Sequence, residues 1–139
     1  MANAGPTGRN RPISPHLMDG AALHWRWGPG MLSSILHRVT GVAATVGIFV
    51  ALWWLGALVS GPESYAFFVA QATSWYGMVV LVGVSWGVIA HAITGIRHFV
   101  LDTGAGYELA SNKLWANVST VLGFVLTAAF WAALLPPLI

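Results

Sequence analysis

The stretch WYGMVVLVGVSWGVIAHAITGIRHFVL, Trp75 to Leu101, decides the fold, because apolar residues occupy nearly every position on all sides of a helical turn. At about 1.5 Å of rise per residue, roughly 20 residues cross a hydrocarbon core, and this run is longer. Its only ionisable groups, His91, Arg97 and His98, all fall in its second half. Two more apolar runs, Val39 to Val59 and Leu114 to about Leu135, carry no charge at all. The whole chain agrees with them: of 139 residues 57% are hydrophobic and only 7% charged, against about a quarter charged in a soluble domain. The fold class is therefore all-α integral membrane, with three transmembrane helices running up, down, up.

Outward from the spans, residues 1–30 hold four of the seven prolines and no helical apolar period, which reads as an irregular polar arm before a membrane domain at 31–139. The spans are expected at about 33–59, 67–102 and 114–135. Ser33 or Ser34 can open the first helix, after the break at Gly28-Pro29-Gly30, and Ser60-Gly61-Pro62 ends it in a short loop. The second helix starts between Tyr65 and Trp75 and stops at Thr103-Gly104-Ala105-Gly106. Asn112 is a candidate cap for the third, and Pro136-Pro137 close it. No internal repeat is visible. The arm segment Leu23-His24-Trp25-Arg26-Trp27 alternates aromatic and cationic groups, as suits either headgroup level or a docking surface for a peripheral subunit.

Six basic residues and a net charge of +2 would suggest nucleic acid in a soluble protein. Beside spans they report orientation instead. Arg9, Arg11, Arg26 and Arg38 precede or open the first span, Glu63 is the one charge in the first loop, and Arg97 and Lys113 flank the second. By the positive-inside rule the N-terminus is cytoplasmic and the C-terminus periplasmic. Neither a cleavable signal nor an amphipathic presequence is evident, which favours a bacterial inner membrane. With no cysteine, the chain supplies neither thiolate chemistry nor iron-sulfur ligands.

Ionisable residues inside a span are costly and usually face protein or a cavity. Ser34, His37, Arg38 and Gly41 share one face of the first helix. Arg97, His98 and Asp102 reach the same leaflet from the second. His91 lies deeper, roughly 15 Å from the end of its helix, beyond comfortable snorkelling. It stands in the series Gly83, Gly87, His91, Gly95. Such glycines admit close helix packing, or clear a groove for a flat macrocycle whose iron an imidazole holds. A histidine amid the stripe favours the groove. For the histidine alone, ligand, proton relay and structural hydrogen bond stay open. His91 and His98 lie about 10.5 Å apart along the axis, too far to grip one metal at bonds of about 2 Å. His37, near the cytoplasmic edge, is a poor match in depth, so a second axial ligand is expected from another chain. Arg97 suits a snorkelling role, whereas Arg38 with Ser34 forms a pair able to bind a carbonyl or propionate.

Three segments carry a family resemblance: Arg11-Pro12-Ile13-Ser14-Pro15-His16, Ser34-Ile35-Leu36-His37-Arg38-Val39-Thr40-Gly41, and His91-Ala92-Ile93-Thr94-Gly95-Ile96-Arg97-His98 with Asp102 following. In order and in their placement on the first two helices they resemble the cytochrome b membrane-anchor subunit of succinate dehydrogenase, respiratory complex II. After His16 the arm departs from the pattern with Leu17-Met18-Asp19-Gly20. The resemblance implies a complex of flavoprotein, iron-sulfur protein and two anchors, in which this chain is the larger anchor and helps bind haem b and ubiquinone. His91 would be one axial ligand of the haem iron, the second anchor supplying the other. Ser34 and Arg38 would belong to the quinone pocket, and His37 and Arg38 to the propionate side of the haem. Arg97, His98 and Asp102 match the motif without a settled role. Rival readings are the anchor of a related fumarate reductase, a structural anchor without haem, and a proton-relay or transport subunit using His91, His98 and Asp102, which fall within about 20° of one helix stripe.

Overall fold

A computed structural model describes residues 18–19, 22–23 and 27–135. Arg9, Arg11, the segment to His16, His24 to Arg26 and the Pro136-Pro137 closure lie outside the described residues. Within the arm, Met18–Asp19 (β1) pairs antiparallel with Ala22–Leu23 (β2), Met18 opposite Leu23, where irregular chain was expected. Four helices follow: α1 Pro29–Val59, α2 Pro62–Ala72, α3 Trp75–Asp102 and α4 Leu109–Leu134. Of these α1, α3 and α4 are long and apolar enough to cross a membrane. Their directions alternate. Going along α1, residues 37, 43 and 47 meet residues 95, 87 and 84 of α3, and Ala90 and Arg97 of α3 meet Gly123 and Asn112 of α4.

The helix starts differ from expectation for local reasons. Pro29 fits the first turn of α1, where its missing N–H costs nothing, so α1 begins before Ser33. The first loop is not short: Gly61, at φ 108, takes a left-handed turn, and Pro62 at once opens the 11-residue α2. The expected second span then breaks at Thr73 and Ser74. Ser74 caps α3 by accepting from the Gly77 N–H at 3.1 Å. Gly77 lets the Gln71 carbonyl come so close that a Cβ would sit 2.0 Å from it, so the α2–α3 corner depends on that glycine. Asn112 is not a cap. Glu108 precedes α4, and Asn112 sits one turn inside it, its Oδ1 accepting from Arg97 Nη2.

The interior inverts that of a water-soluble bundle. Apart from Phe68, the buried residues of the helices are small: Ser33, Thr40, Ala57, Gly87, Ala90, Thr94, Ala116, Ser119, Gly123 and Thr127. The large apolar side chains point outward, among them Val42, Phe99 and Val121. In lipid there is no gain in hiding a leucine from its surroundings, so close backbone approach decides what packs inside. A Cβ on Gly87 would lie 2.6 Å from the Ala43 Cβ, and one on Gly47 2.7 Å from Val84. These contacts hold α1 and α3 nearly backbone to backbone.

Candidate functional site

Residues at spacings of three and four build one face on each of the two helices. His37, Thr40 and Gly41 line α1; His91, Thr94, Gly95 and His98 line α3. Because α1 and α3 run antiparallel, the imidazole of His37 slides between the two on α3. Its ring stacks on His91 with centroids 4.0 Å apart and planes 5° from parallel, and on His98 at 4.5 Å and 26°. The order of the stack is His91, His37, His98.

Each ring is tied down through Nδ1. His91 Nδ1 donates to the His37 carbonyl at 3.0 Å, with Thr40 Oγ1 3.5 Å away. His98 Nδ1 donates to the Thr94 carbonyl at 2.7 Å. His37 Nδ1 lies 2.7 Å from Thr94 Oγ1, whose own hydrogen reaches the Ala90 carbonyl at 2.7 Å, so His37 is the donor in that pair. Three acceptors on protein thus set one tautomer, Nδ1–H, for all three rings. Their Nε2 atoms have no hydrogen-bond partner among the described residues.

Sequence reading missed how this arises. The pentad His-x-x-Thr-Gly occurs twice, as His37-Arg38-Val39-Thr40-Gly41 and His91-Ala92-Ile93-Thr94-Gly95. In the antiparallel pair each histidine crosses to the other copy's Thr-Gly. His91 lies over Gly41, where a Cβ would be 3.1 Å from its Cε1, and His37 faces Gly95 at 3.8 Å. A buried threonine three residues after a histidine, in both helices, was the available signal. Thr40 and Thr94 are 1% and 3% exposed.

His37 lies between His91 and His98 in the stack, on the His98 side of His91, and two stacked rings cannot face one iron from opposite sides. One expectation needs correction. The glycine stripe is not a cleared groove, since Ala43 of α1 fills the space beside Gly87 and His37 that beside Gly95, while Gly83 has nothing within 4 Å. Close packing is what Gly87 serves. The relay reading also loses ground: the three histidines stack face to face instead of passing N–H to N, and Asp102 is exposed. No cluster of three potential metal ligands exists among the described residues.

Ser34 and Arg38 lie one turn apart at the same end of the bundle. Ser34 is half-buried; Arg38 is exposed and has neither ion pair nor hydrogen bond among the described residues. Arg97 is half-buried, gripped by Asn112, and its Nε is buried without a partner.

Comparison with known proteins places similar chains beside these features. The family described as succinate dehydrogenase/fumarate reductase transmembrane subunit matches residues 7–130. The succinate dehydrogenase cytochrome b556 subunit of Paracoccus denitrificans is 37% identical over 100 residues, 72% of this chain and 73% of that one. The cytochrome b556 subunit of Rickettsia felis is 31% identical over 121 residues, covering 87% and 90%. The mitochondrial cytochrome b560 subunit of Mus musculus is 35% identical over 136 residues, covering 92% and 73%.

Proposed function

The chain belongs to the family of succinate dehydrogenase/fumarate reductase transmembrane subunits, and from that premise we propose that it anchors a succinate dehydrogenase, holds haem b through His91 and forms part of the site where ubiquinone is reduced. The observation that carries the ligand role is the His91 ring itself. Its Nδ1–H is committed to the His37 carbonyl, which leaves Nε2 as a lone-pair donor with no competing partner among the described residues. A hydrogen bond from the far nitrogen to an oxygen acceptor fixes the ring orientation and its tautomer, as is usual for metal-binding histidines. A second ligand would come from the second anchor subunit, because the histidines at hand are stacked beside His91. Haem held by His91 would supply a one-electron centre within the membrane. His37 and Arg38 would serve its propionates.

The quinone role rests on Ser34 and Arg38. The Ser34 hydroxyl donates to a quinone carbonyl, and the unpaired guanidinium of Arg38 stabilises negative charge as that oxygen is reduced. Electrons arrive from succinate through the flavoprotein and iron-sulfur partners. The N-terminus and both these residues face the cytoplasm, where the soluble partners sit, and the C-terminus faces the periplasm of a bacterial inner membrane. Matched relatives named for succinate dehydrogenase favour that direction over fumarate reduction.

The test uses the whole complex. With His91→Ala, the reduced-minus-oxidised b-type signal disappears; an undiminished signal in a stoichiometric complex would overturn the ligand role. Arg38→Leu lowers quinone reduction roughly 100-fold, while succinate oxidation with an artificial acceptor persists. Equal loss of both activities would instead mark Arg38 as an assembly residue.

A further inference from the structure

On the side of α3 away from the histidines, a groove of about 540 Å³ opens between α3 and α4, walled by Ile93, Val100, Trp115, Val118 and Leu122, with Arg97 at its polar end. At about 100° per residue, Ile93, Arg97 and Val100 project roughly 160°, 120° and 180° away from the direction of His91 along the shared helix, so the groove is separate from the site above. We propose that it is a phospholipid site, the phosphate on Arg97 and one acyl chain along Trp115, Val118 and Leu122.

Charge argues for an anion. A guanidinium within a span is costly unless compensated, and no carboxylate lines the groove. Asn112 Oδ1, a neutral acceptor, is the only hydrogen-bond partner Arg97 has among the described residues. That contact orients the guanidinium and leaves donors over, in the planar fork that suits two phosphate oxygens. Half-buried Ser111 adds a hydroxyl on the same wall.

Shape argues for a tail. The remaining wall is apolar, and Trp115 stands exposed near the polar end, the position indoles take at the membrane interface. A free phosphate would gain nothing from those residues. The chain's own arm is a poor occupant: residues 1–26 contain Arg9, Arg11 and Arg26 against the single carboxylate of Asp19, so the arm would bring like charge to Arg97.

The experiment takes the complete complex, extracted in mild detergent, and counts retained phospholipid by native mass spectrometry. Arg97→Gln removes the charge; Val118→Trp fills the tail channel and leaves Arg97 in place. Arg97→Gln lowers occupancy about tenfold, the scale of one lost charged hydrogen bond, and Val118→Trp lowers it by excluding the tail. Should Arg97→Gln fail to assemble, Val118→Trp decides alone. The delipidated complex regains the bound mass from dioleoylphosphatidylglycerol micelles and not from inorganic phosphate. Unchanged retention in the variants, recovery with inorganic phosphate alone, or a photo-crosslinker at Leu122 that captures a protein chain in place of lipid would each overturn the proposal.

Discussion

The two sides of α3 solve opposite problems. Toward α1 it presents glycine, threonine and histidine, and everything there is closed: Gly87 against Ala43, His91 over Gly41, and His37 donating to Thr94. Toward the α3–α4 groove it presents isoleucine, valine and one arginine, and the face stays open over about 540 Å³. In water the large residues would go inside and the polar ones out. Here the polar face is buried, because a hydroxyl or imidazole facing lipid has no partner, whereas an isoleucine facing lipid loses nothing. The closed face can hold a defined ring geometry for just that reason.

The sharpest test of the contrast uses two glycines four residues apart in the same stripe. Gly87→Leu drives a side chain into Ala43, where even a Cβ has 2.6 Å, and should cost about 3 kcal/mol or more. Gly83→Leu meets nothing within 4 Å and extends into an apolar groove beside Trp86 and Trp131, so its effect should stay within about 0.5 kcal/mol. Thermal midpoints in detergent, followed by helical circular dichroism, measure both. Equal effects would mean that the stripe is one uniform surface and that the closed face is not set by α1.

How far the sequence revealed this division depends on the length scale of each signal. Three spans were legible because about 20 apolar residues leave no other fold. Their alternation put His37 and His98 at one end of the bundle. The break at Ser74 was not legible, because the apolar residues 65–70 lead toward the span and the corner rests on one backbone approach at Gly77. Depth counted along a single helix did not reveal that His37 stacks between His91 and His98, since such a count ignores how two helices slide past each other. The glycine stripe was seen, but its meaning turned on what stands opposite, and Ala43 lies in another helix. The doubled His-x-x-Thr-Gly pentad was present to be read; its value appears only once the two copies run antiparallel. Asn112 looked like a cap because asparagine usually is one at such a place, and tertiary pairing with Arg97 took it instead.

Within the closed face, the next effect comes from a hydroxyl. Thr94→Val keeps the shape but removes the acceptor for His37 Nδ1–H, leaving that proton buried between two rings. A loss of about 1–2 kcal/mol is expected. Thr94→Ser, which retains the oxygen, should restore most of it. If valine and serine behave alike, the stack is held by ring contact alone and the pentad is coincidental.

The smallest effect belongs to the open face, and its smallness is informative. Ile96 is 65% exposed and lines the groove beside Arg97, one residue after Gly95 on the closed side. Ile96→Ala removes a large apolar side chain, a change that in a soluble core costs about 2–5 kcal/mol. Here lipid replaces the lost contacts, so the stability should change by no more than about 0.5 kcal/mol. A cost near the soluble value would show that protein covers Ile96 in the assembled complex. The open face would then be a subunit interface, and the contrast between the two sides of α3 would hold for the isolated chain alone.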